Sequence, residues 1–231
     1  MILLKGILIM ATIIREERAG LSTLVRQPDE GAVKRIIIFL HGWGADGADL
    51  MDLSSAMAME FSDAMFLAPD GPEPCSANPM GRQWFPLDGD QASIDAGPDM
   101  AFPYIKALIE GVCAETNLGL DAVTLIGFSQ GGMMTLHTST RLEKPIHAAI
   151  SFSGALLAPD KLENAIIAKP PVLLVHGKDD QVVPFQAMTI AEAVLGQAGI
   201  VVKSVARDGL GHGIDGEGFA EAVKFISAPS A

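Results

Sequence analysis

The chain has 231 residues, 49% hydrophobic and 19% charged, a balance that excludes a disordered polymer and suits one globular domain with a sizeable core. Its net charge of -12 argues against nucleic acid or an anionic membrane surface as partner, because both call for clustered Lys and Arg. Two cysteines, Cys75 and Cys113, are too few for a disulfide framework and lack metal-ligand spacing, so a cytoplasmic location is expected.

Met1 to Ile14 is strongly apolar apart from Lys5. It is too short for a membrane-spanning helix, which takes about 20 residues, and it lacks the charged start and small-residue cleavage site of a signal peptide. Residues 1–11 read as an N-terminal extension, an edge strand or a loose tail, with Met10 as an alternative start. The expected domain is a single one over residues 12–231.

A first strand pair is expected at Thr12 to Ile14 and Ser22 to Arg26, followed by a turn at Gln27-Pro28-Asp29-Glu30-Gly31. Arg35 to Leu40 is a continuous apolar run, the pattern of a strand buried on both faces. Ala45 to Phe61 reads as loop and helix, and Ala64 to Ala68 as a short strand. Pro69 to Pro98 is rich in Gly, Pro and Asp and lacks periodicity, so it is expected to be a long loop; loops of that length are usually functional or disordered. Asp95 to Asn117 carries a helical pattern through Ile105, Leu108, Ile109 and Val112. Further strands are expected at Ala122 to Ile126, Ala148 to Phe152, Val172 to Val175 and Ile200 to Ala206. Helices are expected after Gly132, near Phe185 to Ala198, and from Gly216 to Ile226. Strands alternating with helices predict an α/β fold with a mostly parallel sheet, helices on both faces and function gathered at the carboxyl ends of the strands.

Gly127-Phe128-Ser129-Gln130-Gly131 stands between an apolar strand and a buried helix. Strand, Gly-x-Ser-x-Gly turn and helix in that order form a nucleophile elbow, which lifts the serine hydroxyl clear of the sheet edge. A serine nucleophile needs a base, and five histidines are available: His41, His137, His147, His176 and His212. His212 lies in a glycine-rich loop between the last strand and the last helix, where an imidazole can reach over the sheet edge; the other four read as structural. A carboxylate must orient the imidazole, and the loop after Val172 to Val175 offers Asp179 and Asp180, which physics alone does not separate. The expected oxyanion donors are the backbone N-H groups of Gln130 and of Trp43, the latter set between Gly42 and Gly44. Trp84 and Phe85 are large apolar groups in a polar stretch. They either pin the loop to the body or line a substrate-binding acyl pocket beside Ser129.

With these residues placed, the sequence resembles the carboxylesterase, acyl-protein thioesterase and lysophospholipase family of small α/β hydrolases. The resemblance rests on Phe39-Leu40-His41-Gly42-Trp43-Gly44-Ala45-Asp46-Gly47, Ala68-Pro69-Asp70-Gly71-Pro72, Arg82-Gln83-Trp84-Phe85, Gly127 to Gly132, His176 to Pro184, and Gly211-His212-Gly213-Ile214. It implies an α/β-hydrolase fold without a large cap domain and hydrolysis of a small-molecule ester or thioester, with no cofactor and no metal. A homodimer is a frequent state in such a family. The family's His-Gly-x-x-Asp-x-x-Val-Pro pattern selects Asp180, giving the chain order Ser129, Asp180, His212. Trp43 departs from the Leu or Tyr expected there, which implies a narrower mouth to the acyl site.

The function expected is a serine carboxylesterase acting through an acyl-enzyme on Ser129. A thioesterase or lysophospholipase would use the same three residues, so these do not separate the substrates. A noncatalytic binding module on the same fold is the remaining reading, and retention of all three residues counts against it.

Overall fold

The computed structural model describes residues 12–28, 31–160 and 165–228. The expectations for residues 1–11, and the middle of the turn at residues 29–30, lie outside the described residues.

An eight-stranded sheet runs in the order β1-β2-β4-β3-β7-β8-β9-β10. The strands are β1 (Ile13–Arg18), β2 (Leu21–Arg26), β3 (Arg35–Leu40), β4 (Ala64–Pro69), β7 (Val123–Phe128), β8 (Ala148–Phe152), β9 (Val172–Gly177) and β10 (Val202–Arg207). The β1-β2 and β2-β4 pairings are antiparallel and the others parallel. β3, β4, β7, β8 and β9 are buried along almost their whole length, as expected for strands covered on both faces.

One core lies between the sheet and α3 (Gln91–Thr116), α4 (Gln130–Ser139) and α5 (Gln186–Gln197). The other lies against α1 (Gly47–Met51), α2 (Leu53–Met57) and α6 (Gly216–Ser227). Helices thus cover both faces. Among the described residues no helix is long and apolar enough to cross a membrane.

Three elements differ in extent from the sequence reading. β1 continues to Arg18 through the charged run Arg15-Glu16-Glu17-Arg18, because it is an edge strand whose side chains face water and ion partners. Ala19 and Gly20, both at positive φ (52° and 76°), close its hairpin onto β2 in the manner of a primed turn. α3 begins at Gln91, because the Asp90 carboxylate caps the N-H of Ser93, and it runs through both Pro98 and Pro103. The Pro69 to Pro98 segment is therefore shorter as a loop than expected. It also holds a small ribbon, β5 (Glu73–Pro74) paired with β6 (Arg82–Gln83).

Candidate active site

β7 ends at Phe128, and Ser129 follows with φ 54° and ψ -117°, a strained backbone for a residue with a side chain. Its N-H is held by the carbonyl of Phe152 at 2.9 Å, so the strained turn is tied to the neighbouring strand. The flanking glycines are required by space. A Cβ on Gly127 would stand 2.0 Å from the carbonyl oxygen of Gly131, and one on Gly131 would stand 1.8 Å from that of Leu40. The elbow packs against its own helix and against β3, and no side chain fits at either position.

His212 lies in the loop between β10 and α6. Its Nδ1 is 2.7 Å from Oδ2 of Asp180, so Nδ1-H donates to the carboxylate and leaves Nε2 free for proton transfer. Phe128, the residue before the elbow serine, packs against the imidazole with ring centroids 4.8 Å apart and the rings tilted by 44°. Gly42 approaches both Phe128 and Ser129, which brings the loop after β3 to the same rim. Among the described residues no hydrogen bond joins His212 to the Ser129 hydroxyl. In a free enzyme such a bond is often long and tightens when substrate binds.

Asp180 is 6% exposed and takes donors on both oxygens. Oδ1 accepts the N-H groups of Val182 and Val183, each at 2.9 Å, while Oδ2 takes His212. Burial pushes the carboxyl pKa up, but the hydrogen bond from His212 and the two amides together outweigh burial and hold it below the ordinary value. Asp179 is exposed and meets the loop of His212 only through its backbone, donating to the carbonyl of Leu210 at 3.0 Å.

His176, read from the sequence as structural, packs against the Asp180 carboxylate. It is buried, with Nε2 2.8 Å from the carbonyl of Val183 and 3.3 Å from Oδ2 of Asp180. The Val183 carbonyl is an acceptor, so the proton sits on Nε2 and is donated there, with the Asp180 carboxylate close by. The i,i+4 spacing across a strand end was the available signal.

The Trp43 and Gln130 N-H groups take part in none of the described hydrogen bonds, and each belongs to a segment that reaches the elbow. The loop carrying Trp43 is stitched to β6, with Gly44 donating to the carbonyl of Arg82 at 2.9 Å and Arg82 to that of Ala45 at 2.7 Å. The Trp43 indole N-H is held by Oε1 of Gln83 at 2.9 Å, and the ring is 36% exposed. His41 braces the loop from below: Nε2 accepts the N-H of Gly71 at 2.8 Å, so Nδ1 carries the proton and donates to the carbonyl of Gly42. Burial lowers its pKa.

Trp84 and Phe85 are both buried in the core on the α3 and α4 side, at 1% and 0% exposure. The Trp84 indole donates to the carbonyl of His41 at 2.9 Å. The side chain of Gln130 accepts the N-H of Trp84 at 3.0 Å and donates to the carbonyl of Phe85 at 2.7 Å. These are the contacts of the pinning alternative: the pair fixes the long segment to the elbow. The site thus gathers four loops at the carboxyl ends of β3, β7, β9 and β10.

An open cleft of about 330 Å³ lies beside His212 and Phe128, walled by α1 and α2. A larger cavity, about 410 Å³, is lined by Arg35, Val123's neighbour Ala122 and His147 at the amino ends of the strands, the end of the sheet opposite Ser129. Among the described residues no group of His, Cys, Asp and Glu is arranged to hold a metal ion.

An elbow serine in a mostly parallel sheet, with a histidine-carboxylate pair on the following loops, defines an α/β hydrolase. Within that class the chain belongs to the phospholipase/carboxylesterase family, whose match covers residues 23–230, and it is a hydrolase of the serine-esterase type. The esterase YpfH of Escherichia coli (strain K12) is 30% identical over 194 residues, which cover 83% of this chain and 81% of its own. Acyl-protein thioesterase 1 homolog 1 of Dictyostelium discoideum is 27% identical over 204 residues, covering 83% of this chain and 88% of its own. The crystal structure of esterase PE8 superposes with a TM-score of 0.86 at 41% identity, covering 90% of this chain and 98% of that one.

Proposed function

We propose that the protein is a carboxylesterase in which Ser129, Asp180 and His212 form the catalytic triad. The observation that carries the reading is the 2.7 Å bond from His212 Nδ1 to the buried Asp180, which leaves Nε2 as the free nitrogen on the rim that bears Ser129. His212 takes the Ser129 proton as Oγ attacks the ester carbonyl, and Asp180 stabilises the resulting imidazolium. The Trp43 and Gln130 amides hold the oxyanion, and each contributes roughly 3 kcal/mol to the transition state. His212 returns its proton to the leaving alcohol. Water, deprotonated by the same imidazole, then releases the acid and restores Ser129. Each step uses side chains of this chain, and none calls on a cofactor.

Small-molecule esters are the proposed substrates; the names of the esterase relatives support this. Thioesters need the same groups, and the name of the thioesterase relative supports that second reading. One panel separates them: short and long acyl esters, acyl thioesters and lysophospholipids, assayed with wild type and Ser129→Ala. The expected result is preference for esters and a loss of about 10⁴-fold or more in the alanine variant. If Ser129→Ala turns over the preferred substrate at the wild-type rate, the triad assignment fails.

A further inference from the structure

We propose that the open cleft of about 330 Å³ beside His212 receives the alcohol part of the ester, and that it selects an apolar alcohol, uncharged or cationic, over an anionic one. This rests on the reading of Ser129 as nucleophile and His212 as base.

The geometry of acyl transfer sets which side is which. The carbonyl oxygen must point to the Trp43 and Gln130 amides, and the leaving oxygen must lie within hydrogen-bond reach of the histidine that protonates it. The cleft is lined by His212 but by neither oxyanion donor, so it opens on the leaving-group side of the reacting carbon. Its walls are Leu50 and Leu53 from α1 and α2, Phe128 from the elbow, and Ile214 beyond His212. Phe128 packs against the imidazole at a tilt, so an apolar alcohol seated there would run along the same surface that positions the base. At about 330 Å³ the cleft is at the small end of ligand sites, enough for a single-ring alcohol.

Asp49 supplies the charge preference. It is exposed and stands on the cleft wall, the only carboxylate among the described residues that line it. A carboxylate at the mouth repels an anionic alcohol and attracts a cationic one, and salt screens both effects.

In the acylation step the bond from Ser129 Oγ to the acyl carbon forms and the bond from that carbon to the alcohol oxygen breaks. The serine proton, held on His212, passes to the departing oxygen, and the alcohol leaves neutral. Deacylation then occurs with the cleft vacated. A change in the cleft therefore acts on acylation, whereas a change in the acyl pocket acts on both steps.

The test uses the full chain, butyrate esters of methanol, benzyl alcohol, and benzyl alcohols bearing a para carboxylate or a para aminomethyl group, and benzyl acetate to form the acetyl-enzyme. Wild type is expected to favour benzyl over methyl by about tenfold or more in kcat/KM. Leu53→Trp, which fills the cleft, is expected to reduce that ratio about tenfold, while the ratio of butyryl to acetyl deacylation rates keeps its wild-type value. Asp49→Lys, on the surface, is expected to shift the aminomethyl-to-carboxylate ratio severalfold toward the carboxylate, less at 1 M salt than at 0.05 M. A changed butyryl-to-acetyl deacylation ratio in Leu53→Trp would place the acyl chain in the cleft and overturn the proposal. Alcohol ratios that neither variant moves would overturn it as well. Intact-mass detection of the acyl adduct separates the two levels: wild-type turnover with no adduct on Ser129 overturns the nucleophile reading and this one together, whereas unmoved ratios with the adduct present overturn this one alone.

Discussion

At the scale of single residues, the site is organised around Asp180 more tightly than around Ser129. Among the described residues the serine hydroxyl makes no hydrogen bond, while the carboxylate is buried and takes amide donors on Oδ1, with imidazole nitrogens near Oδ2. A carboxylate so surrounded stays ionised and cannot rotate, and the tautomer of His212 follows from it. His176 packs beside this arrangement: its Nε2-H is donated to the carbonyl of Val183, and the ring nitrogen stands 3.3 Å from the Asp180 oxygen that His212 uses. His176→Ala is expected to lower kcat by about 10- to 100-fold with little change in KM, since the carboxylate loses its fixed orientation while the substrate contacts remain. His176→Gln, which can still donate, should recover part of that loss. Steady-state kinetics of both variants beside a urea unfolding curve check it, and an equal fall in kcat and stability without rescue would reduce His176 to a core residue.

At the scale of elements, the β7-elbow-α4 unit is the least tolerant part of the chain. α4 is buried along its whole length, and its first turn is pressed against the ends of β3 and β8. With the Cβ position of Gly131 1.8 Å from a backbone oxygen of β3, neither a side-chain rotation nor a small shift relieves the clash. Gly131→Ala is expected to cost about 3 kcal/mol or more, or to abolish folding. Denaturant unfolding measures it, and a variant of wild-type stability would mean the elbow can open without cost. The ribbon β5-β6 acts at the same scale: it holds the Trp43 loop, and Gln130 clamps Trp84 and Phe85, so the long segment and the elbow form one packed body.

At the scale of the whole molecule, acid stability depends on histidines that folding buries. His137 on α4 is 8% exposed and packs edge-on against Phe102 of α3. Burial lowers its pKa from 6.5 to about 3, and the positive charge of Arg141 adds to this. Asp99 of α3 lies 3.1 Å from Nε2, but its carboxylate is largely in solvent and makes no hydrogen bond with the ring. The folded value lies below the unfolded one, so between the two the unfolded chain holds a proton that the folded chain lacks. Stability therefore rises with pH across that window and falls as pH drops from 6.5 toward 3. In His137→Leu this term vanishes, so the variant should gain on wild type by about 1.4 kcal/mol for each pH unit below the window's upper end. Urea unfolding of both proteins at pH 7, 6 and 5 tests it, and a stability difference independent of pH would place the proton on the folded histidine as well. His41, its pKa also lowered by burial, works in the same direction.

The amino-acid sequence by itself determined the α/β alternation and the place of the elbow. It could do so because each is written locally: buried parallel strands are continuous apolar runs, and the elbow needs small residues at fixed offsets. The choice of Asp180 over Asp179 came from resemblance, and the fold adds that Asp180 is the one buried against His212. Only the tertiary structure decided what long-range contacts set. The extent of β1 through four charged residues depends on ion partners such as Asp70 and Glu115, remote in the chain. The early start of α3 depends on the Asp90 cap. The burial of Trp84 and Phe85 depends on Gln130, and the facing of His176 onto Asp180 on how the chain turns after β9. Local pattern fixes which element forms; which side chains face one another is settled by packing between segments far apart in sequence, and no periodicity records it.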